Sequence, residues 1–355
     1  MLKILIVSGT FPPRKYGGVT KITYLVAKKL AERGHEVTVF TTDVGNNEYE
    51  RLSVRRLEII NGIHVYYFRN LSNIIAFRQR ILLPLGMISA FARDIHNFDI
   101  VHLNGLRNFH EVVMPYFAKK YNVPYVQQAH GSLSKIKPKR ILKLFWDELF
   151  GHYLLRNASK VIALSRVEAK QYRSMGVPEE KIAIIPNGIY LSEYAKLPPR
   201  GSFKKKFNIR EDKKIILYLG RIHKTKGIDF LVRAYAYLAK KMNFKDVFLV
   251  IAGPDEGYLK EVKELTATLG ISKNVLFTGL LSEKDKIAAY VDANIVANVE
   301  PINVYGLVPL EAAACETPVI VSKGNAIKDI IHEGKFGFSV KCEPINLAPQ
   351  QSKPS

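Results

Sequence analysis

The hydrophobic positions of the chain alternate between two patterns along its length. Short runs of β-branched and aliphatic residues, such as residues 3–9 (KILIVSG) and 36–42 (EVTVFTT), predict buried strands. Between these two runs, residues 20–34 (TKITYLVAKKLAERG) place apolar side chains at helical spacing and stop at a glycine, as many helices do. This alternation of strand and helix is typical of open, mostly parallel α/β sheets.

The alternation runs through the chain twice, with one interruption. The interruption is residues 196–214 (KLPPRGSFKKKFNIREDKK), which are rich in proline, glycine and charge and predict a linker. We therefore predict one α/β domain over residues 1–195, a second over residues 215–340, and a disordered tail over residues 341–355. Two such domains predict a cleft between them, with ligands at the carboxyl ends of the strands.

Composition narrows the class of protein. A chain of 355 residues with 47% hydrophobic and 24% charged residues has the composition of a globular protein. Its two cysteines match no metal or redox spacing, so we expect a reduced, cytoplasmic protein. The most apolar window, residues 74–92, contains Arg78, Arg80 and Pro84 and is not expected to span a membrane.

The net charge of +21 is distributed unevenly. Residues 1–200 carry +15 and the rest of the chain carries +6. A basic first half suits nucleic acid, anionic lipid or a phosphorylated substrate, and it also suits a soluble, lysine-rich surface.

Two loops that follow predicted strands have the chemistry to bind an anion. Gly17 and Gly18 stand just before a helix whose free N–H groups and dipole favour negative charge, although the loop also reads as a plain turn and is not GxGxxG. Arg221 and Lys226 lie between a strand and a helix, where two fixed cations suit a diphosphate.

Two further loops carry polar groups that suit a sugar nucleotide. His130, at the end of a predicted strand in the first half, can hydrogen-bond a sugar hydroxyl or act as a base, or it is simply a satisfied structural histidine. Glu311 lies in the first turn of a helix predicted to begin near Pro309; its carboxylate can accept from a ribose diol or compensate the helix dipole.

Taken together, these loops resemble the family-four glycosyltransferases, retaining enzymes of the GT-B fold that use nucleotide sugars. The resemblance covers roughly residues 1–340, and the motifs that carry it occur in the family's order. They are FPPRKYGG, LAERGHEVTVFTT, DIVHLNG, AHGS, VIALS, IPNGI, YLGRIHKTKGIDFLVRA, IAGPDEGY, LFTGLLS and GLVPLEAAACETPVIVS.

The resemblance implies an acceptor-side Rossmann-like domain, a nucleotide-sugar domain and a set of site residues. Catalytic roles fall on His130 at the sugar and on Arg221 and Lys226 at the diphosphate. Contacts with the donor fall on those two cations and on Gly17, Gly18, Asn303, Gly306, Leu307, Val308 and Glu311, the last at the ribose. The implied reaction uses no metal and no cofactor, because the nucleotide sugar is a substrate and the cations relieve its charge.

The chain departs from the family pattern in several places. The usual E-x7-E pair is Asn303-x7-Glu311, Glu316 replaces a glycine, and the chain stops where the family continues through helices that pack back across both domains. The implied partners are a UDP- or GDP-linked sugar and a glycan or lipid-linked acceptor, with no nucleic acid.

Three alternatives remain open at the level of sequence. They are a nucleotide-sugar epimerase or phosphorylase of the same fold, a basic protein that binds nucleic acid or an anionic surface, and a catalytically weak scaffold. Residues 74–86 and 135–146 further suggest peripheral binding to an anionic membrane, and they fit equally well as core-facing helices with solvated Lys and Arg.

Overall fold

The computed structural model describes residues 1–14, 17–46, 49–52, 56–79, 81–133, 140–300 and 305–342. For Arg140 and Leu142 it describes only the backbone. The chain divides into two compact units, Met1–Gly188 and Ile189–Ser355, called the first and second units below.

The first unit alternates strands with helices. In chain order its elements are β1 Lys3–Ser8, α1 Gly18–Glu32, β2 Glu36–Thr42, β3 Leu57–Ile60, β4 Ile63–Phe68, α2 Asn73–Gln79, α3 Gly86–Asp94, β5 Ile100–Asn104, α4 Phe109–Lys120, β6 Tyr125–Gln128, α5 Arg140–Trp146, α6 His152–Asn157, β7 Lys160–Ala163, α7 Arg166–Ser174 and β8 Ile182–Ile184. A π-helical turn, Asp147–Gly151, joins α5 to α6.

Within the described residues, the strands of the first unit form one eight-stranded sheet in the order β3-β4-β2-β1-β5-β6-β7-β8. Its pairs are parallel except for the hairpin β3–β4. Alternate residues of β1 enter different cores: Leu5 and Val7 pack in one, and Ile4 and Ile6 in the other. Since successive side chains of a strand point to opposite faces, this sheet is covered on both faces, as the parallel pattern predicts.

The second unit repeats the alternation. Its elements are α8 Ser202–Lys206, β9 Lys214–Leu219, α9 Ile228–Lys241, β10 Val247–Ala252, α10 Leu259–Thr268, β11 Val275–Gly279, α11 Glu283–Asp292, β12 Ile295–Asn298, α12 Val308–Ala314, β13 Val319–Ser322, α13 Lys328–Glu333 and β14 Gly337–Val340.

The described strands of the second unit form a six-stranded, fully parallel sheet in the order β11-β10-β9-β12-β13-β14. Its central strands are buried, and Leu249 and Ile251 of β10 pack with Val232 and Tyr235 of α9 in one core. The predicted fold class, two Rossmann-like α/β domains, is confirmed.

The predicted linker is partly structured. Residues 196–214 contain α8, and the first strand of the second unit begins at the last of them. Asp292 of α11 accepts hydrogen bonds from the backbone N–H groups of Gly201, Phe203 and Lys204 at 2.5, 2.8 and 2.9 Å. The division between the units falls at Gly188, slightly before the predicted end of the first domain. The predicted disordered tail lies outside the described residues from 343 onward.

The apolar window of the first unit is divided between α2 and α3. Along the described ranges, no helix combines the length and apolar character that crossing a bilayer requires.

Candidate functional site

The second unit has a topological switch point between β9 and β12. After β9 the chain forms β10 and β11 on one side of β9 within the sheet. It then returns to form β12 on the other side of β9. Ligands of open α/β sheets bind in the crevice at the carboxyl ends of the strands at such a point. Gly220 follows β9 and Val299 follows β12, so their loops border this crevice.

Arg221 is held at this edge by the loop that follows β10. Backbone hydrogen bonds run from Ile222 N–H to Pro254 O (2.8 Å) and from Glu256 N–H to Ile222 O (3.0 Å). The close approach requires glycine at position 253, because a Cβ there would lie 1.8 Å from Gly220 O. The Nη1 of Arg221 donates to the carboxylate of Glu256. The guanidinium is therefore fixed in direction before any ligand arrives.

Lys226 lies in the same crevice and is also paired. Its Nζ is 2.6 Å from both carboxylate oxygens of Glu300, which follows β12. The two side chains are 16% and 13% exposed, so water screens the pair only partly. Ser322, at the end of β13, donates to the backbone carbonyl of Glu300 and fixes that residue in turn. The structure thus brings the two predicted diphosphate ligands to one strand edge, each beside a carboxylate.

Glu311 lies in the first turn of α12, as predicted, with Pro309 as the second helical residue. Its side chain is 3% exposed and accepts from the hydroxyl of Tyr290 at 2.8 Å and from Nζ of Lys286 at 3.4 Å. Those two partners come from α11. In this structure the carboxylate therefore hydrogen-bonds protein groups, and its contact with a ribose stays a prediction.

The other predicted donor contacts of the second unit lie around the start of α12. Gly306 and Leu307 precede the helix and Val308 begins it, and all three are partly exposed. Asn303 lies outside the described residues, so its role remains a prediction from sequence.

In the first unit, Gly17 is the N-cap of α1 and Gly18 is its first residue. Gly17 has φ 126°, which favours glycine, and a Cβ there would meet Thr20 Oγ1 at 3.0 Å. The N-cap glycine has no side chain with which to cap the helix, and the first turn holds no acid. The backbone N–H groups of this turn keep the positive character on which the anion prediction rests.

His130 follows β6 in a left-handed backbone conformation, φ 52°. Its Nε2 lies 2.8 Å from Oδ1 of Asn104, the last residue of β5. The Nδ2 of that amide points to the carbonyls of Val7 and His102, at 3.5 and 3.4 Å, which orients Oδ1 as the acceptor for His130. Nε2 therefore carries the proton, and Nδ1 of the neutral ring is an acceptor.

Burial fixes the charge of that imidazole. It lowers the pKa of His130 to about 3, and the neighbouring His102 acts in the same direction. At neutral pH the ring is uncharged. It therefore forms hydrogen bonds, and it is a weaker base than an ordinary histidine.

Two charged side chains, Glu168 and Arg107, hold the loop that carries His130. Glu168 accepts from the N–H groups of Gly131 and Leu164, both at 2.6 Å. Arg107 donates to the carbonyl of Ser132 and forms a two-pronged ion pair with Asp147, at 3.0 and 2.8 Å. These contacts hold the loop, and His130 with it, in one position.

Sequence reasoning missed the residues that position the predicted ones. Glu256 and Glu300 hold the two cations of the second unit, and Asn104 and Glu168 hold His130 and its loop. A signal was present for three of them, because Asn104, Glu256 and Glu300 are polar residues at or just after strand ends. Pairing one such residue with another requires the tertiary structure.

Across the described parts of the chain, no three His, Cys, Asp or Glu side chains lie together as a metal site would need.

Two family models match the chain. The model described as Glycosyltransferase Family 4 matches residues 16–193, and the model described as Glycosyl transferases group 1 matches residues 199–349. The first covers half of the chain, and the second covers most of the remainder.

Individual relatives agree with the family models. An uncharacterized glycosyltransferase of Methanocaldococcus jannaschii is 28% identical over 94% of this chain and 83% of its own length. An alpha-monoglucosyldiacylglycerol synthase of Streptococcus pneumoniae is 27% identical over 95% of this chain and 74% of its own. Among solved structures, HepE of Anabaena in complex with UDP and glucose has a TM-score of 0.73 at 20% identity, covering 96% of this chain and 86% of that one.

Proposed function

Because the chain belongs to Glycosyltransferase Family 4 and is a glycosyltransferase of the GT-B fold, we propose that it transfers a sugar from a UDP- or GDP-linked donor with retention of configuration. The acceptor is a glycan or a lipid-linked molecule, and neither a metal nor a cofactor takes part. The structure of HepE was solved with UDP and glucose, and the relative from S. pneumoniae is named for a glycolipid, which supports this choice of donor and acceptor.

The position of Arg221 and Lys226 carries the proposal. Both lie at the switch point of the second unit, and ligands of open α/β sheets commonly bind at such points, which supports the proposal. The guanidinium of Arg221 binds one of the described groups, Glu256, through Nη1, so its Nε and Nη2 edge can bind phosphate oxygens. An arginine and a lysine fixed in this way suit a diphosphate better than two mobile surface cations would, because little side-chain entropy is lost on binding.

These residues define what the protein contributes to the reaction. The bond between the anomeric carbon and the phosphate oxygen breaks, and the electron pair goes to the diphosphate. The acceptor oxygen bonds to the same face of the sugar, and its proton passes to the departing phosphate oxygen. Arg221 and Lys226 stabilise the charge that develops on this leaving group. In other transferases a metal ion stabilises that charge.

The donor is tested by thermal unfolding with UDP-, GDP- and ADP-sugars, since a ligand that binds only the native state must raise its apparent stability. We expect a UDP- or GDP-sugar to raise the Tm and an ADP-sugar to have a smaller effect. Incubation with the stabilising donor alone separates transfer from epimerisation. If an epimerised sugar accumulates without an acceptor, the protein is an epimerase; if no nucleotide sugar stabilises it, the donor assignment is wrong.

We place the lipid-facing surface on the helical run from α5 to α6. Ile141, Phe145 and Leu149 are 84%, 63% and 52% exposed, and their spacing of four residues puts them on one face. Tyr153 continues this face, with the ammonium of Lys119 at 5.8 Å from its ring. An apolar helical face beside cations suits the surface of an anionic membrane, and the first 200 residues carry a net charge of +15.

Sedimentation with vesicles tests this surface. The wild-type chain should sediment with phosphatidylglycerol vesicles at low salt and much less with phosphatidylcholine vesicles. The double variant Phe145→Ser, Leu149→Ser should lose this binding, and Phe338→Ser, which removes a similarly exposed ring in the second unit (69% exposed), should retain it. Equal binding by both variants would overturn the assignment of this face.

A further inference from the structure

The first unit has its own topological switch point, between β1 and β5. The chain moves from β1 to β2 on one side and returns to place β5 on the other. Gly9 follows β1 and Gly105 follows β5, so the crevice at the carboxyl ends of these strands lies between their two loops. By the same rule that locates the donor cations, this crevice is a ligand position.

His110, in the first turn of α4, borders this crevice and has no hydrogen-bond partner among the residues that the structure describes. It is 1% exposed, and within the described ranges neither of its ring nitrogens meets a donor or acceptor. Oε1 of Glu111 lies 3.8 Å from Nε2, which is too far for a hydrogen bond. Buried polar groups are almost always paired, so two unpaired nitrogens on one ring call for a group that the described residues do not supply.

The polar surroundings of His110 extend to Gly105. A Cβ on Gly105 would lie 1.9 Å from Oε1 of Glu111, so the carboxyl of Glu111 occupies the space that a side chain would fill. Gln127 of β6 donates through Nε2 to the carbonyl of Gly105. Its Oε1 is buried and lacks a partner in the described part of the chain. A second unsatisfied acceptor therefore belongs to the same cluster.

Leu82 covers the crevice on its Gly9 side. A Cβ on Gly9 would be 2.3 Å from Cδ1 of Leu82 and 3.8 Å from Cε1 of His110, so the leucine side chain fills the space above the glycine. The backbone N–H of Leu82 is held by Oδ1 of Asn108 at 3.1 Å. Leu82 is only partly buried, so a ligand that approaches on this side would have to displace its side chain.

We propose that this crevice binds a hydroxyl group of the acceptor and that His110 is the residue that recognises it. This inference rests on the proposed function, because it names the acceptor contact of the transferase. An uncharged imidazole offers one donor and one acceptor on divergent edges of the ring, and a hydroxyl group can pair with either of them. The carboxyl of Glu111 beside the ring disfavours an anionic group.

The charge states of the neighbouring groups agree with a hydroxyl ligand. Burial lowers the pKa of His110 to about 3, so the ring is neutral at physiological pH. Burial also raises the pKa of Glu111 to about 7, although hydrogen bonds from Asn108 and Arg107 oppose the shift. Neither group supplies the fixed positive charge that a phosphate would need.

Partition of the donor sugar between water and a polyol tests the proposal. With a donor that the wild-type protein hydrolyses, increasing myo-inositol, glycerol or glucose should divert the sugar from water to the polyol. His110→Phe should lower the ratio of glycosyl polyol to free sugar at least tenfold, and His110→Gln, which keeps a donor and an acceptor, should restore part of it. Met114→Leu, one turn further along the same buried face of α4, is the matched control and should leave the ratio unchanged.

The ratio compares two fates of one bound donor, so it does not depend on how well the donor binds. If wild-type protein releases neither product, the proposed function fails. If it releases both and His110→Phe leaves the ratio as in wild type, the proposal for His110 is overturned and the ring is a structural feature.

A second measurement needs no donor. The ring resonance of His110, assigned by its loss in His110→Phe, should shift and saturate as myo-inositol is added and should not move with sodium sulfate. A shift with sulfate alone, or with neither compound, would contradict a hydroxyl site.

Discussion

Lys226 and Glu300 join two loops of the second unit across its switch point. The ammonium nitrogen lies 2.6 Å from both carboxylate oxygens, and Glu300 is held in turn by Ser322. A cation fixed in this way can meet a diphosphate without reorganising, but the carboxylate that fixes it also repels that ligand. The pair therefore positions the cation at some cost in donor affinity.

Loss of either cation should remove transfer without removing the fold. Arg221→Ala and Lys226→Ala should each lower kcat by about a hundredfold to a thousandfold, as lost transition-state donors do. Lys224→Ala changes an exposed lysine in the same loop and is the control. Transfer rates measured at saturating donor decide this. Near wild-type rates in both variants would show that the diphosphate binds elsewhere.

Neutralising Glu300 should tighten the binding of the free nucleotide. In Glu300→Gln the amide oxygen can still accept from Lys226, while the negative charge beside the diphosphate is gone. We expect the Kd for UDP or GDP, measured by calorimetry, to fall by a few-fold to about tenfold, equivalent to about 1 kcal/mol. Glu264→Gln, an exposed acid on α10, should leave it unchanged. Weaker binding in Glu300→Gln would mean that the carboxylate itself contacts the ligand favourably.

Gly253 should tolerate no side chain. It has φ 146°, and a Cβ would lie 1.8 Å from Gly220 O, so Gly253→Ala must push apart the loops that carry Arg221 and Glu256. Gly257→Ala is the matched control, because it also has positive φ (83°) but meets nothing within 4 Å. Strain alone costs about 1–3 kcal/mol in both variants. Only Gly253→Ala should also abolish stabilisation by the nucleotide, as thermal unfolding with and without it will show.

Asp292 should hold α8 onto the second unit. Its carboxylate accepts from three backbone N–H groups at the start of that helix. Asp292→Ala leaves these donors unpaired and should destabilise the protein by about 1–3 kcal/mol in urea unfolding. Limited proteolysis should then cut within residues 196–214, where the wild-type chain resists. Equal cleavage of both proteins would show that this segment is a flexible linker after all.

Acid should destabilise the first unit through its buried histidines. Burial lowers the pKa values of His102, His110 and His130 to about 4, 3 and 3 from the usual 6.5. The unfolded chain therefore binds more protons between these values, so stability is fully present above pH 6.5 and is lost as the pH falls towards 4.

The single tryptophan, Trp146, lies in this unit, so its fluorescence reports its unfolding. His110→Phe should reduce the slope of stability against pH between pH 4.5 and 6 by up to one proton, about 1.4 kcal/mol per pH unit. The pKa of Glu111, 3.8 Å from His110, is raised, so its contribution to stability changes with pH in the opposite direction. This contribution is present in both proteins and cancels in the comparison of their slopes. An unchanged slope would mean that His110 does not charge on unfolding.

Much of the fold was predictable because long strands and helices carry their own periodicity. Residues 3–9 and 36–42 became β1 and β2, and the apolar spacing of residues 20–34 became α1. The short strands β3, β8 and β14 give no such signal. Each is three or four residues long and only partly buried, too short to show a period of two.

The linker prediction shows where composition misleads. Prolines, glycines and lysines over residues 196–214 look like a connection without structure, yet this segment contains α8. Asp292 orders this helix by accepting hydrogen bonds at its start, although it lies about 90 residues further along the chain. No local sequence pattern predicts this contact.

The sequence by itself determined the class of sheet, the family and the loops that follow the central strands, because these depend on local periodicity and on motifs in order. Only the tertiary structure decided which side chains meet. It paired Lys226 with Glu300 and Arg221 with Glu256, and it buried Glu311 against Tyr290 and Lys286. Within the described ranges it left His110 without a partner. The physical reason is that hydrogen bonds and ion pairs form between strand ends that are neighbours in the sheet and distant in the chain.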